Sequence, residues 1–171
     1  SVDSLVPFDL LTWPAKGNPH FQYNPDFSPV QTNPELFPAP FVDANGDGVY
    51  NVYEGDYPVI KGDRMAWLTF TDSVKHARSR GNPLLVDISV SVYAYDCEQN
   101  STIDGSLFAD VEAINRSQTL YEDTYMGFFA DLDLGCYYDD HIGSLPDANA
   151  VYVYNADASD GPCNPGFPVF P

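Results

Sequence analysis

Basic residues are scarce in this chain. Seven Lys and Arg stand against 25 Asp and Glu, a formal net charge of −18 over 171 residues. Nucleic acid and anionic lipid are both recognised through Lys and Arg clusters, so this balance argues against either as a partner. The densest basic run, KHARSR at 75–80, is short and reads as a solvated turn. No stretch approaches the roughly 18–20 apolar residues of a membrane-spanning helix. The first residues, SVDSLVPF, lack the charged and apolar regions of a signal peptide, which is expected to be absent or already removed. Cysteine is sparse as well: Cys97, Cys136 and Cys163 make no CxxC pair and are too few for a disulfide-dense scaffold. In an oxidising compartment one pair can close. Cys136 with Cys163 is the candidate disulfide, because both sit in loop-like sequence rich in Gly and Asp; the alternative is three unpaired buried thiols.

The residues of familiar catalysts are missing too. The three histidines, His20, His76 and His141, fall in no HExxH spacing, and no serine lies in a GxSxG elbow. Asp139 and Asp140 are adjacent, so on a strand they would point to opposite faces and could not flank one glycosidic bond. His141 beside them is a candidate ligand or base, or simply a satisfied loop histidine. The expectation is a protein that is not an enzyme; a hydrolase with an acidic centre over 131–140 is the weaker third reading.

What remains is a globular composition, 44% hydrophobic and 15% aromatic, enough for one domain or a domain with an arm. Residues 1–42 hold eight prolines, which remove amide donors and forbid regular helix, yet aromatic residues such as Trp13, Phe21 and Phe41 are interleaved throughout. This is expected to be an extended arm pinned by its aromatic side chains onto the body or a neighbour. Beyond residue 64 the texture turns to strand. In 84–96, Val86, Ile88, Val90, Val92 and Ala94 alternate with Asp87, Ser89, Ser91, Tyr93 and Tyr95. Further strands are expected over 65–71, 106–117, 119–131 and 149–157. Long alternating strands without helical periodicity point to an all-β antiparallel β-sandwich. The expected organisation is an arm at 1–42, a loop and connector at 43–63, and a sandwich body at 64–171. The apolar, proline-ended tail suggests that the body belongs to a longer polypeptide.

The most specific motif is DANGDGVYNVYE at 43–54. Calcium takes six to eight oxygens, which a twelve-residue loop can wrap round one ion. Asp43, Asn45 and Asp47 supply side-chain oxygens at positions one, three and five. Gly48 allows the turn at six, Val49 offers its carbonyl at seven, Asn51 acts directly or through water at nine, and Glu54 closes the set at twelve. The flanks FPAPFV and GDYPVIKGD cannot be helices, so the loop is expected to be free-standing and to clip chain segments together. The alternative is a metal-free polar turn at 45–48. Uncompensated carboxylates at this density also call for bound cations, and Ca2+ is plentiful outside the cell. A second acidic cluster, Asp131, Asp133, Asp139 and Asp140, is a further candidate metal site if Gly135 turns the chain; the alternative is a solvated loop.

The words WPAKGNP, APFVDANGDGVYNVYEGDYPVIKGD, INRS, YEDTYMGFFADLDLGCYYDDHIG and YVYNAD together resemble a module of large secreted or cell-surface proteins of Bacteroidota, often exported by the type IX secretion route. The resemblance runs from Trp13 to about Asp157. It implies an extracellular structural role, with calcium held by the 43–54 loop, and Asp-Ser-apolar O-glycosylation acceptors at Ser4 and Ser73. Asn100 and Asn115 fit the N-glycosylation pattern, which is little used in such bacteria. The expected function is a calcium-stabilised structural module of an adhesin or filament, partnered by neighbouring modules or subunits. The alternative is a calcium-dependent carbohydrate-binding module of a secreted enzyme, with Tyr93, Tyr95, Tyr137, Tyr138, Tyr152 and Tyr154 as candidates for a glycan platform.

Overall fold

The computed structural model describes residues 6–25, 38–97, 102–137 and 139–156. The chain divides into two compact units, residues 1–120 and 121–171. The boundaries expected at 42 and 63 both fall inside the first. The fold is all-β: every ladder among the described residues is antiparallel. Helix is confined there to one α turn, α1 (Phe8–Leu11), and to 3-10 turns at Phe21–Tyr23, Val52–Glu54 and Pro146–Ala148. Pro7 directly precedes α1, where its missing N–H costs nothing, and Pro14 lies just beyond its end. No helix among the described residues is long and apolar enough to cross a membrane.

In the first unit, β1 (Phe41–Val42) pairs with β2 (Tyr57–Pro58), closing the loop between them. The chain then runs through a three-stranded meander: β3 (Arg64–Thr71), β4 (Val86–Ala94) and β5 (Phe108–Asn115), with β4 in the centre. The register sets Leu68 opposite Val90 and Val90 opposite Val111, and likewise Phe70, Ile88 and Ala113 in a row. Directly paired residues share a face, so the alternation read in β4 continues across all three strands. One face is apolar but for Arg64 and Asn115 at its ends, and it stays open: Leu68 and Phe70 are 41% and 57% exposed.

The mixed face is covered over Trp67 and Asp87. Trp67 is only 8% exposed, and the Trp13 ring stands 6.5 Å from it, tilted by 55°. The Trp13 indole N–H donates to the Pro40 carbonyl at 3.1 Å, which holds the proline-rich chain at that face. Of the N-terminal aromatic side chains, Trp13 packs on this unit's own sheet, while Phe8 and Tyr23 stay largely exposed. Tyr93, Tyr95 and Phe108 form a second aromatic cluster on the meander, with Tyr93 and Phe108 stacked at 5.6 Å.

The strand expected over 119–131 does not form. No residue there is paired in a ladder, and Phe129 is 89% exposed. Asp123 has φ +50, a left-handed conformation that breaks a strand, and Gly127 weakens any strand beyond it. The second unit instead holds a hairpin of β6 (Asp140–Leu145) and β7 (Ala150–Asn155), turned by the Pro146–Ala148 3-10 turn and by Asn149 at φ +49. β7 matches the strand expected over 149–157. β6 was hidden, because it opens on Asp and His in what reads as an acidic loop. Cys136 is in a disulfide and Cys97 is free; Cys163, the expected partner, lies outside the described residues.

A buried carboxylate ties β4 to the end of β5. Asp87, 5% exposed, accepts from Arg116 Nε at 2.6 Å. Arg116 is itself half in solvent, so the pair is worth less than a fully buried one. Asp87→Ala is expected to lower stability by about 1–2 kcal/mol. A urea midpoint equal to that of the wild type would show that the pair contributes nothing.

Candidate metal centre

The 43–54 loop owes its path to its glycines and to a carboxylate just outside it. Gly46 and Gly48 take φ values of +78° and +77°, which glycine adopts without strain. Asp43 faces the turn they make, its Oδ1 accepting from the Gly46 N–H and its Oδ2 from the Gly48 N–H, both at 2.7 Å. Asn45 Oδ1 accepts from the Asp47 N–H at 3.0 Å, and Asp47 Oδ1 from the Val49 N–H at 2.8 Å. These are short Asx turns, each bending the chain inward.

Three of the expected ligands meet. The Asn45 side-chain amide donates to Glu54 Oε2 at 2.6 Å and to Asp47 Oδ2 at 3.2 Å, so both carboxylates lie beside one nitrogen. Asn51 is used differently: its Oδ1 accepts from the Tyr53 N–H at 3.1 Å, capping the 3-10 turn that carries Glu54. Asp43 spends its hydrogen-bonding capacity on backbone amides. Among the described residues, no three His, Cys, Asp or Glu side chains converge as a ready ligand set. The donor chemistry of the loop nonetheless fits a hard cation: Asp43, Asn45, Asp47 and Glu54 offer only oxygen and are at least partly open to solvent.

The residue that sequence reasoning missed is Asp56. It is 2% exposed, its Oδ1 accepting from the Ala44 N–H at 2.9 Å and its Oδ2 from the Asn51 N–H at 2.8 Å. It therefore bridges the beginning and the ninth position of the loop from inside. Its signal in the sequence was only an Asp two residues after the closing Glu54.

The loop is also fastened to the N-terminal segment. The Tyr50 N–H donates to the Lys16 carbonyl at 2.8 Å, and its hydroxyl donates to the Leu10 carbonyl at 2.6 Å. Burial, and then the charge of Asp56, push the Tyr50 hydroxyl up to about 12. The Phe41 ring meets Tyr50 edge-on at 5.5 Å. Asn18 binds the chain back on itself, its amide donating to the Leu11 and Trp13 carbonyls. Gly17, at φ +77, lets Val49 approach so closely that a Cβ would lie 2.4 Å from Val49 Cγ1.

In the second unit Gly135 does turn the chain, with φ +66. The Leu134 N–H reaches Asp140 Oδ2 at 2.8 Å, while Asp131 and Asp133 remain exposed. Tyr152 and Tyr154 lie side by side at 5.8 Å, with the His141 ring against Tyr154. Gly143 sits under Tyr152, where a Cβ would meet the ring at 2.3 Å. Tyr137 is exposed; Tyr138, Ser4 and Asn100 lie outside the described residues. Ser73 is exposed just after β3, and the Asn115 side chain is engaged with Ser117 and Thr119. Compared with protein-family models, curated proteins and solved structures, the chain has no match.

Gly17→Ala combines left-handed strain with a clash against Val49, and is expected to cost about 2–3 kcal/mol. Chemical denaturation checks this; a wild-type midpoint would mean that the close approach at Val49 does not exist in solution.

Proposed function

We propose that this chain is a calcium-stabilised, non-catalytic structural module of an extracellular or cell-surface bacterial protein, an adhesin or filament subunit. One observation carries the reading. The 43–54 loop, with Asp47 and Glu54 gathered at Asn45, is held in shape by Asp56 and fastened by Tyr50 to the N-terminal segment. A Ca2+ ion bound by Asp43, Asn45, Asp47 and Glu54, with the Val49 carbonyl and Asn51 completing the set, would neutralise those carboxylates and cross-brace the junction. Carboxylates in excess of cations suit a calcium-rich exterior. The open apolar face of β3–β4–β5 is the surface on which a second sheet would complete a β-sandwich. Neighbouring modules are the partners this reading implies.

Calcium removal is the test. With the ion at 100-fold its Kd, a single site stabilises by about 2.7 kcal/mol, or about 10 °C for a unit of this size. Chelation should therefore lower the melting temperature by that order, and Asp47→Ala should reproduce most of the loss. Melting that ignores both the chelator and the substitution would remove calcium bracing from the account.

A second reading, a carbohydrate-binding module, is favoured by the half-exposed Tyr152 and Tyr154 beside His141. Two adjacent aromatic faces suit the apolar faces of sugar rings. On this reading Tyr152→Ala should reduce glycan-array binding at least tenfold while leaving the melting temperature within a few degrees of wild type. An array that stays blank with the wild-type chain in calcium would dismiss it.

A further inference from the structure

The second unit carries its negative charge without a single Lys or Arg to offset it. Residues 121–171 contain nine Asp and Glu and no Lys or Arg. At the open end of the β6–β7 hairpin, three oxygens are buried without a hydrogen-bond partner: Asp139 Oδ1, Asp140 Oδ1 and Asn155 Oδ1. Buried polar atoms are nearly always satisfied, and three orphaned acceptors in one place ask for something positive.

The ladder shows why they sit together. Asp140 and Asn155 are cross-strand partners. The Ala156 N–H donates to the Asp139 carbonyl at 2.8 Å. The next pair inward, Asp140 with Asn155, is therefore of the non-hydrogen-bonded kind, whose side chains stand closest, with Cβ atoms about 4.5–5.5 Å apart on one face. Asp139 lies just outside the strand, in a turn where its N–H reaches the Cys136 carbonyl, and its Oδ1 is shut off from solvent like those of Asp140 and Asn155. Asp140 is already oriented, because its second oxygen accepts from the Leu134 N–H. His141, the unit's remaining basic side chain, pairs with Tyr154 on the other face of the hairpin.

We propose that Asp139, Asp140 and Asn155 bind one hard divalent cation, of which calcium is the best match, at the base of this hairpin. All three donors are oxygens, two are carboxylates and one is an amide, with water filling the remaining positions. Asn155 was no part of the acidic cluster legible in the sequence; the hairpin register adds it. This site is independent of the 43–54 loop, and either can exist without the other.

Calcium stoichiometry measured by equilibrium dialysis on the full chain decides the matter. Asp47→Ala silences the loop, and that variant should still bind one equivalent. Adding Asp140→Asn, which keeps the side chain's shape and its acceptor for Leu134, should weaken that equivalent at least tenfold. Asn155→Asp, which adds a charged ligand, should tighten it, and a tightened variant cannot be explained by misfolding. If the Asp47→Ala chain binds no calcium, or binds it equally well with Asn at 140, the cation site is wrong and buried water satisfies these oxygens. A wild type that binds one equivalent, lost with Asp47→Ala, would leave the loop reading standing and overturn this one alone.

Discussion

The carboxylate of Asp56 is the constraint on which the first unit's architecture turns. Its two oxygens take the N–H groups of Ala44 and Asn51, one near the start of the loop and one near its end. With both fixed, the intervening glycines must fold the loop back on itself, and Tyr50 is delivered to the N-terminal segment. A buried carboxylate that accepts two backbone N–H groups is stable only while both remain in place. The geometry of the loop and the docking of the proline-rich chain are therefore linked through Tyr50, whose neighbour Asn51 is held by Asp56.

Charge is the second theme. Unit one carries all seven Lys and Arg, and it spends some of them locally, Arg116 on Asp87 and Lys61 on Asp110. Unit two has none. The two units thus meet the same excess of carboxylate by different means. Both use backbone amides, the Leu134 N–H on Asp140 in the second; the first adds a few side-chain cations, and the second leaves acceptors buried. That contrast explains why acidic clusters that look alike in the sequence become different sites in the fold.

Much of the fold was legible because alternation is a direct consequence of the pleat. The strands at 65–71, 84–96, 106–117 and 149–157 each appear; the first begins one residue earlier, at Arg64, and the others are shorter by one or two residues at each end. The 119–131 segment misled because β-forming side chains such as Tyr125 and Phe128 say nothing about whether a partner edge is at hand, and the positive φ of Asp123 has no hydrophobic signature. β6 escaped because its polar and glycine residues lack the alternation that marks a strand. At the loop, the spacing announced Asp43, Asn45, Asp47 and Glu54. It did not announce that Asp43 and Asn51 would be occupied by amides, nor that Asp56 would matter most. Hydrogen-bond bookkeeping of that kind becomes visible only once the backbone is folded.

The uncovered apolar side of the meander sets how separate copies of this chain would meet. At low ionic strength a charge of −18 keeps them apart, although Leu68, Phe70 and Val111 present hydrocarbon to water. Salt shortens the reach of that repulsion and leaves the attraction between oily surfaces intact. On these surfaces salt works against dispersal, the reverse of its effect on contacts made by ion pairs.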